Sequence, residues 1–241
     1  MNLVVADTYE DLSKRIADDI ISSLRSIKHP LICTASGDSP AGLYKELVQR
    51  VQKKEFDVSD WSFVGLDEWV GMNGADKGSC RYHLDKIFFQ PLQVKDDRLC
   101  FFDGRTKDVQ AECSRTENFI HNHEGIDVAI LGLGMNGHIG MNEPGTEVSL
   151  HSHLAELAPL TIQVGQKYFT KKQELSHGLT LGIANFMEAK QVMLIVSGAH
   201  KAEIVQKILK EEISEELPGS LLRNHPGFTL YLDKAAARLL S

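Results

Sequence analysis

A histidine and a carboxylate, His138 and Glu143, stand close together in the segment Leu131–Gly145, LGLGMNGHIGMNEPG. Imidazole exchanges protons near neutral pH, and a nearby carboxylate can orient it or serve as a second titratable group. Glycines at 132, 134, 137 and 140 leave the backbone free for positive φ and for close approach of a ligand, and Gly137 is expected to lie against substrate. The spacing Gly132-x-Gly134-x-x-Gly137 satisfies a dinucleotide pattern, yet His138 follows where a phosphate-facing helix should begin. The competing reading of His138 is a hydrogen-bonded structural histidine; the glycines and the strand end before them argue for the catalytic one.

Two further segments carry polar groups where apolar runs end. Thr34-Ala-Ser-Gly-Asp-Ser-Pro40 offers serine hydroxyls and a helix start, a ready anion site with phosphate as the obvious ligand. The alternative is a plain capped helix start, and Asp38 opposes phosphate unless its side chain points away. Leu66-Asp67-Glu68-Trp69 places two acids after an apolar run, where partial shielding from water would make either a base; the alternative is a pair of solvated loop acids. Lys201, in Ser197-Gly-Ala-His-Lys, follows another apolar run and could supply a cation to phosphate, although alone it reads as a solvated helix residue.

These segments need a scaffold that gathers strand ends. Apolar runs at Leu3–Val5, Leu31–Thr34, Ser62–Leu66, Leu99–Phe102, Val128–Leu133, Val192–Val196 and Thr229–Leu232 read as buried strands. Helical spacing separates several of them. A first helix capped by Asp7 carries Leu12, Ile16, Ile20 and Leu24, and a second has Pro40 in its first turn. Others run from Asp108 to His123 and from Ala199 to Glu212. Alternating strand and helix predicts an α/β fold: a mostly parallel sheet with helices on both faces, ligands binding beyond the carboxyl ends of the strands. Residues 1–241 read as a single domain without repeats or linkers. Gly71–Ser79 is a polar glycine-rich loop, and Thr146–His177, with weak periodicity and no clear strand, is expected to be a lid.

The chain's bulk properties exclude several classes. A net charge of −7 without a basic block argues against nucleic acid, and no apolar run is long enough to span a bilayer. The opening MNLVVADTYED lacks a signal-like pattern, so a cytoplasmic protein is expected. The four cysteines form no CxxC and read as reduced, with Cys33 a core residue. His121-x-His123 falls on a helix, where that spacing does not share a face, and His151-x-His153 has no convincing partners, so no metal site is expected.

Together, SGDSPAGLYKEL, LDEW with its glycine-rich loop, GLGMNGHIGMNEPG, LTLGIANFMEAKQVMLIVSGAHKAE and NHPGF resemble, in order and separation, the glucosamine-6-phosphate deaminase (isomerase) family. LDEWV, the Gly78–Cys80 GSC and the absence of an arginine-rich lid resemble its galactosamine-6-phosphate branch. The resemblance implies a Rossmann-like fold, and conversion of an aminohexose 6-phosphate to a ketohexose 6-phosphate with release of ammonia, without metal or organic cofactor. It implies that Asp67 moves a proton between C2 and C1, that His138 assists ring opening, and that Glu143 and Asn136 hold and tune His138. Ser36, Gly37, Asp38 and Ser39 match a phosphate loop, and Lys201 a phosphate-binding lysine. Lys167 stands where an arginine contacts phosphate in familiar members, keeping the charge without the bidentate geometry. Asn136 stands where some members carry aspartate, which leaves a hydrogen bond to the imidazole but no charge relay. The basic residues of an allosteric anion site are replaced around His153 and Ala155, so allosteric activation is not expected. The expected partner is a small-molecule sugar phosphate, with neither nucleic acid nor membrane; the sequence leaves a homo-oligomer open. A 6-phosphogluconolactonase would share the Gly-x-x-Gly-His turn but not Asn142–Pro144; a sugar-phosphate sensor would need a DNA-binding domain; and a serine hydrolase would need a GxSxG elbow.

Overall fold

All seven apolar runs become strands of one parallel sheet. In the computed structural model, which describes residues 1–240, the strands are β1 (Asn2–Ala6), β2 (Leu31–Thr34), β3 (Ser62–Gly65), β4 (Asp67–Trp69), β5 (Leu99–Cys100), β6 (Val128–Gly132), β7 (His153–Glu156), β8 (His177–Thr180), β9 (Gln191–Val196) and β10 (Phe228–Asp233). The helices are α1 (Tyr9–Leu24), α2 (Asp38–Gln52), α3 (Cys80–Leu84), α4 (Gln90–Leu92), α5 (Val109–Asn122), α6 (Pro159–Gly165), α7 (Ile183–Glu188), α8 (Ala202–Lys210) and α9 (Pro218–Leu221). The large sheet has the order β1-β10-β9-β6-β2-β3-β5, every neighbouring pair parallel. The chain winds outward from β2 through β3 to β5, returns to β6 and proceeds outward the other way. The topological switch therefore lies between β2 and β6, where a crevice opens beyond the strand ends.

Strand residues alternate between two buried cores, the expected outcome for a sheet covered on both faces. Ile32, Val128, Ile130 and Ile195 face α1 and α2, packing with Leu12, Ile16, Leu43 and Phe88. Leu31, Cys33, Ala129 and Leu131 face the other way, against Cys113, Phe186, Val205 and Ile208. The four cysteines are buried and free. Among the described residues no helix is long and apolar enough to cross a membrane.

Three local expectations change. The N-cap of α1 is Thr8, whose hydroxyl accepts from Asp11 N; Asp7 instead pairs with Lys234. The loop Gly71–Ser79 leads into a helical stretch absent from the sequence-based expectation, α3 continuing through a π turn at Asp85–Phe89 into α4. The segment 146–177 is also more regular than expected. It contributes β7 and α6, and β7 joins β4 and β8 in a three-stranded antiparallel sheet of order β4-β8-β7. Each of these strands has only three or four residues and few large apolar side chains, too short for alternation to show in the sequence.

Candidate active site

A cavity lies at the carboxyl edge of the parallel sheet. It is walled by the turns after β2, β6 and β9, by Asp67 and Trp69 of β4, and by residues 160–168. Ser36, Gly37, Asp38, Ser39, Asp67, His138, Lys167 and Lys201 all line it. Asn136 and Glu143 stand behind His138.

The turn after β2 is shaped at Gly37, whose φ of +96° swings the chain from strand into α2. No side chain caps α2, so its first N–H groups remain for a ligand. Two tyrosines brace the turn from behind. Tyr9 donates to Asp38 O at 2.7 Å and accepts from Gly42 N at 2.7 Å, while Tyr44 donates to Ala35 O at 2.8 Å. The Asp38 carboxylate reaches out to the rim, where it accepts from Lys167 Nζ at 2.7 Å. Lys201 donates to Leu133 O at 2.5 Å, bridging the turns after β9 and β6. Burial, with Lys167 nearby, holds its ammonium down to about 8.

The acid pair sits where the chain changes sheets. Leu66 N still donates to Thr34 O of the parallel sheet, while Leu66 O already accepts from Leu181 N beside the antiparallel one. Along β4, side chains alternate. Glu68 is fully buried and accepts from three backbone N–H groups, those of Trp69 (2.9 Å), Cys80 (2.9 Å) and Arg81 (3.0 Å). Burial nevertheless pushes its carboxyl up to about 7. Asp67 faces the cavity, and burial raises it to about 6 against the opposing influence of Cys80 and His138. A carboxylate in that range is ionised at neutral pH yet still a competent proton acceptor.

His138 is fixed through Asn136. His138 Nδ1 lies 2.7 Å from Asn136 Oδ1, and Asn136 Nδ2 donates to Glu143 Oε2 at 2.7 Å. An ionised carboxylate only accepts, so it dictates which end of the amide faces the ring. The amide oxygen in turn requires a proton on Nδ1, leaving the Nε2 lone pair for chemistry. Glu143 is 8% exposed. Burial works to raise its carboxyl, but the hydrogen bond and charge of His138 prevail and hold it near 2. Its Oε1 accepts from Ala158 N at 3.1 Å, and Thr161 Oγ1 approaches His138 Nδ1 at 3.2 Å. The segment around α6 thus touches the histidine network directly.

The glycines of the central segment divide between cavity wall and packing: Gly132, Gly134 and Gly140 line the cavity, whereas Gly137 does not. A Cβ on Gly134 would fall 2.3 Å from the His138 ring, so its absence lets the imidazole fold over the turn. Gly137, at φ +88°, lies outside the cavity lining, and a Cβ there would strike Leu217 at 2.5 Å. Of the residues expected to meet substrate, Gly137 is thus the one the structure does not bring to the cavity wall; its Cα face packs the back of the turn. Asn142 belongs to the scaffold too, donating to Ile139 O and Leu181 O. Tyr9, Thr161 and Tyr168 are not identifiable from sequence because none stands in a recognisable motif. Tyr44 and Cys80, although they fall within SGDSPAGLYKEL and the Gly78–Cys80 GSC, carry no spacing that marks them as site residues. Among the described residues no group of three or more His, Cys, Asp or Glu side chains stands together as a metal site. His151 pairs with Glu188 at 3.0 Å, and His123 Nδ1 contacts Phe119 O at 2.8 Å.

Comparison with known proteins agrees with this geometry. A family model described as glucosamine-6-phosphate isomerases/6-phosphogluconolactonase matches residues 5–231. The chain is 35% identical over 238 residues to a glucosamine-6-phosphate deaminase of Bacillus velezensis, covering 98% of this chain and 99% of that one. It is 34% identical over 241 residues to one of Clostridium acetobutylicum, covering 100% of both. Among solved structures, a monomeric glucosamine-6-phosphate deaminase superimposes with a TM-score of 0.94 at 34% identity, covering 99% of this chain and 100% of that chain. A 6-phosphogluconolactonase from Trypanosoma brucei shares the fold at a TM-score of 0.75 and 20% identity, covering 100% of this chain and 98% of that chain.

Proposed function

The chain belongs to the glucosamine-6-phosphate isomerase/6-phosphogluconolactonase family, and from that premise we propose that it is an aminohexose-6-phosphate deaminase. The observation that carries this reading is one cavity holding a base of raised pKa, a tautomer-locked histidine and an uncapped helix start. The turn Ser36–Ser39 receives the 6-phosphate, with Lys201 as the nearby cation and Lys167 at the rim. His138, through Nε2, takes the proton of the C1 hydroxyl and returns one to the ring oxygen, opening the sugar. Asp67 removes the proton from C2 as O1 takes one up, giving an enolamine, and delivers its proton to C1 as the nitrogen gives one up, leaving a C1 hydroxyl and a C2 imine. The resulting C2 imine takes up water and expels ammonia, leaving the ketohexose 6-phosphate. Asn136 and Glu143 keep the histidine in one tautomer throughout.

Residues 146–177 act as the lid of this site, with Thr161 against His138 and Lys167 against Asp38. The reaction takes place in the cytoplasm, where charge retains sugar phosphates. The relatives' names favour the glucosamine epimer, whereas LDEWV and Gly78–Cys80 favour galactosamine. Ammonia release from each 6-phosphate, supplied separately, tests the proposal: the rate ratio assigns the epimer, and no ammonia from either refutes the function.

A further inference from the structure

Three consecutive residues of the lid segment reach three different parts of the site. Lys167 pairs with Asp38 on the rim of the turn Ser36–Ser39. Phe169 meets Trp69 edge-on, ring centroids 6.2 Å apart, and lies over Gly78. Between them, Tyr168 lines the cavity with its hydroxyl above Gly37, so close that a Cβ on that glycine would stand 3.0 Å from the phenol oxygen. The positive φ of Gly37 and the hydroxyl above it are therefore matched features: the turn is bare where the phenol reaches in.

The charges around the turn make this hydroxyl significant. Lys167 is engaged by Asp38, and Lys201 by Leu133 O. A phosphate in the turn thus meets one cation already paired with a carboxylate and another that commits one of its three N–H donors to a carbonyl, and it gains from a further neutral donor. The Lys167 ammonium lies 4.9 Å from the Tyr168 ring centroid. Burial raises the phenol, keeping it a protonated donor throughout the working range.

We propose that Tyr168 is a substrate-binding residue, its hydroxyl donating to the phosphate held by Ser36–Ser39. The role rests on reading that turn as the phosphate subsite, and it sets selectivity for phosphorylated over unphosphorylated sugar. Tyr168→Phe keeps the ring, and with it the packing over Gly37, while removing the donor. The test is calorimetric titration of inorganic phosphate into wild type and variant, alongside steady-state kinetics on the aminohexose 6-phosphate. The Kd for phosphate and the KM should rise together by about tenfold or more, with kcat changed less than about twofold. Equal phosphate affinity in the two proteins, or a fall in kcat at constant KM, overturns the role of Tyr168 even if wild type releases ammonia. Absence of phosphate binding by either protein overturns the subsite and the role together.

Discussion

Replacing Asp67 by asparagine should inactivate the protein and stabilise it in one step. Burial raises this carboxyl from an ordinary 3.8 to about 6, so folding at neutral pH confines an ionised group where the neutral form is preferred. A rise of that size corresponds to a ceiling of about 3 kcal/mol. Asp67 lines an open cavity, and water reaching it lowers the expected figure to about 2 kcal/mol. The sign follows from proton counts. Between the unfolded and folded values the native state binds more protons than the unfolded state, so stability falls as pH rises through that window. The full cost is present above about pH 6 and absent below about pH 4. The neutral amide of the Asp67→Asn variant carries no such cost. Urea denaturation should therefore show the variant about 2 kcal/mol more stable near pH 8, with the gap closing towards pH 4. Ammonia release should fall by about a thousandfold, and exchange of the C2 hydrogen with solvent should cease. A variant no more stable than wild type near pH 8, a gap independent of pH, or surviving C2 exchange would refute the reasoning.

Two other perturbations address the remaining walls of the cavity. Lys201, held down to about 8, loses its charge as pH rises, so KM for the sugar phosphate should climb above about pH 8 while kcat holds. Lys201→Met should raise KM about tenfold or more and abolish that climb in steady-state profiles. Asn136→Leu removes the acceptor that keeps the proton on His138 Nδ1, and should lower kcat about a hundredfold with little change in KM. Asn136→Asp, which still accepts from Nδ1, should retain activity within about tenfold of wild type, as ammonia-release kinetics would show.

The parallel sheet was readable because each of its strands is an apolar run, buried on both sides and punctuated by helices. The antiparallel sheet was hidden: β4 carries two acids, β7 and β8 each include a histidine, and none offers enough residues for a period to emerge. His138, Asp67 and the Ser36–Ser39 turn were legible because they lie at strand ends beside glycines, where exposed backbone and reactive side chains coincide. Thr161 and Tyr168 were not, since they come from a segment whose path depends on packing against distant turns. Asp38 shows the same limit in one residue. Its type opposes phosphate binding, and the contact with Lys167 that turns it aside joins residues 129 positions apart. Gly137 shows it in reverse, a glycine whose position suggested a ligand and whose neighbour is Leu217.

Asp67 and Glu68 present the sharpest case, because identical chemistry in adjacent residues has opposite uses. As loop acids, both would stay solvated and ordinary. The departure of the chain from the parallel sheet at Leu66 makes them successive residues of β4, and successive strand residues must point to opposite sides. One side is the cavity and the other the start of α3, whose N–H groups need acceptors. Glu68 thereby ties β4 to α3 through three backbone donors, and Asp67 is left facing the cavity with no backbone donor to hold its proton affinity low. Burial acts on both carboxyls alike; only the one on the cavity side can use its raised affinity on a substrate proton. The switch of sheets at Leu66 is thus what separates a pair of acids into one buried anchor and one cavity-facing carboxyl, the group proposed as the base.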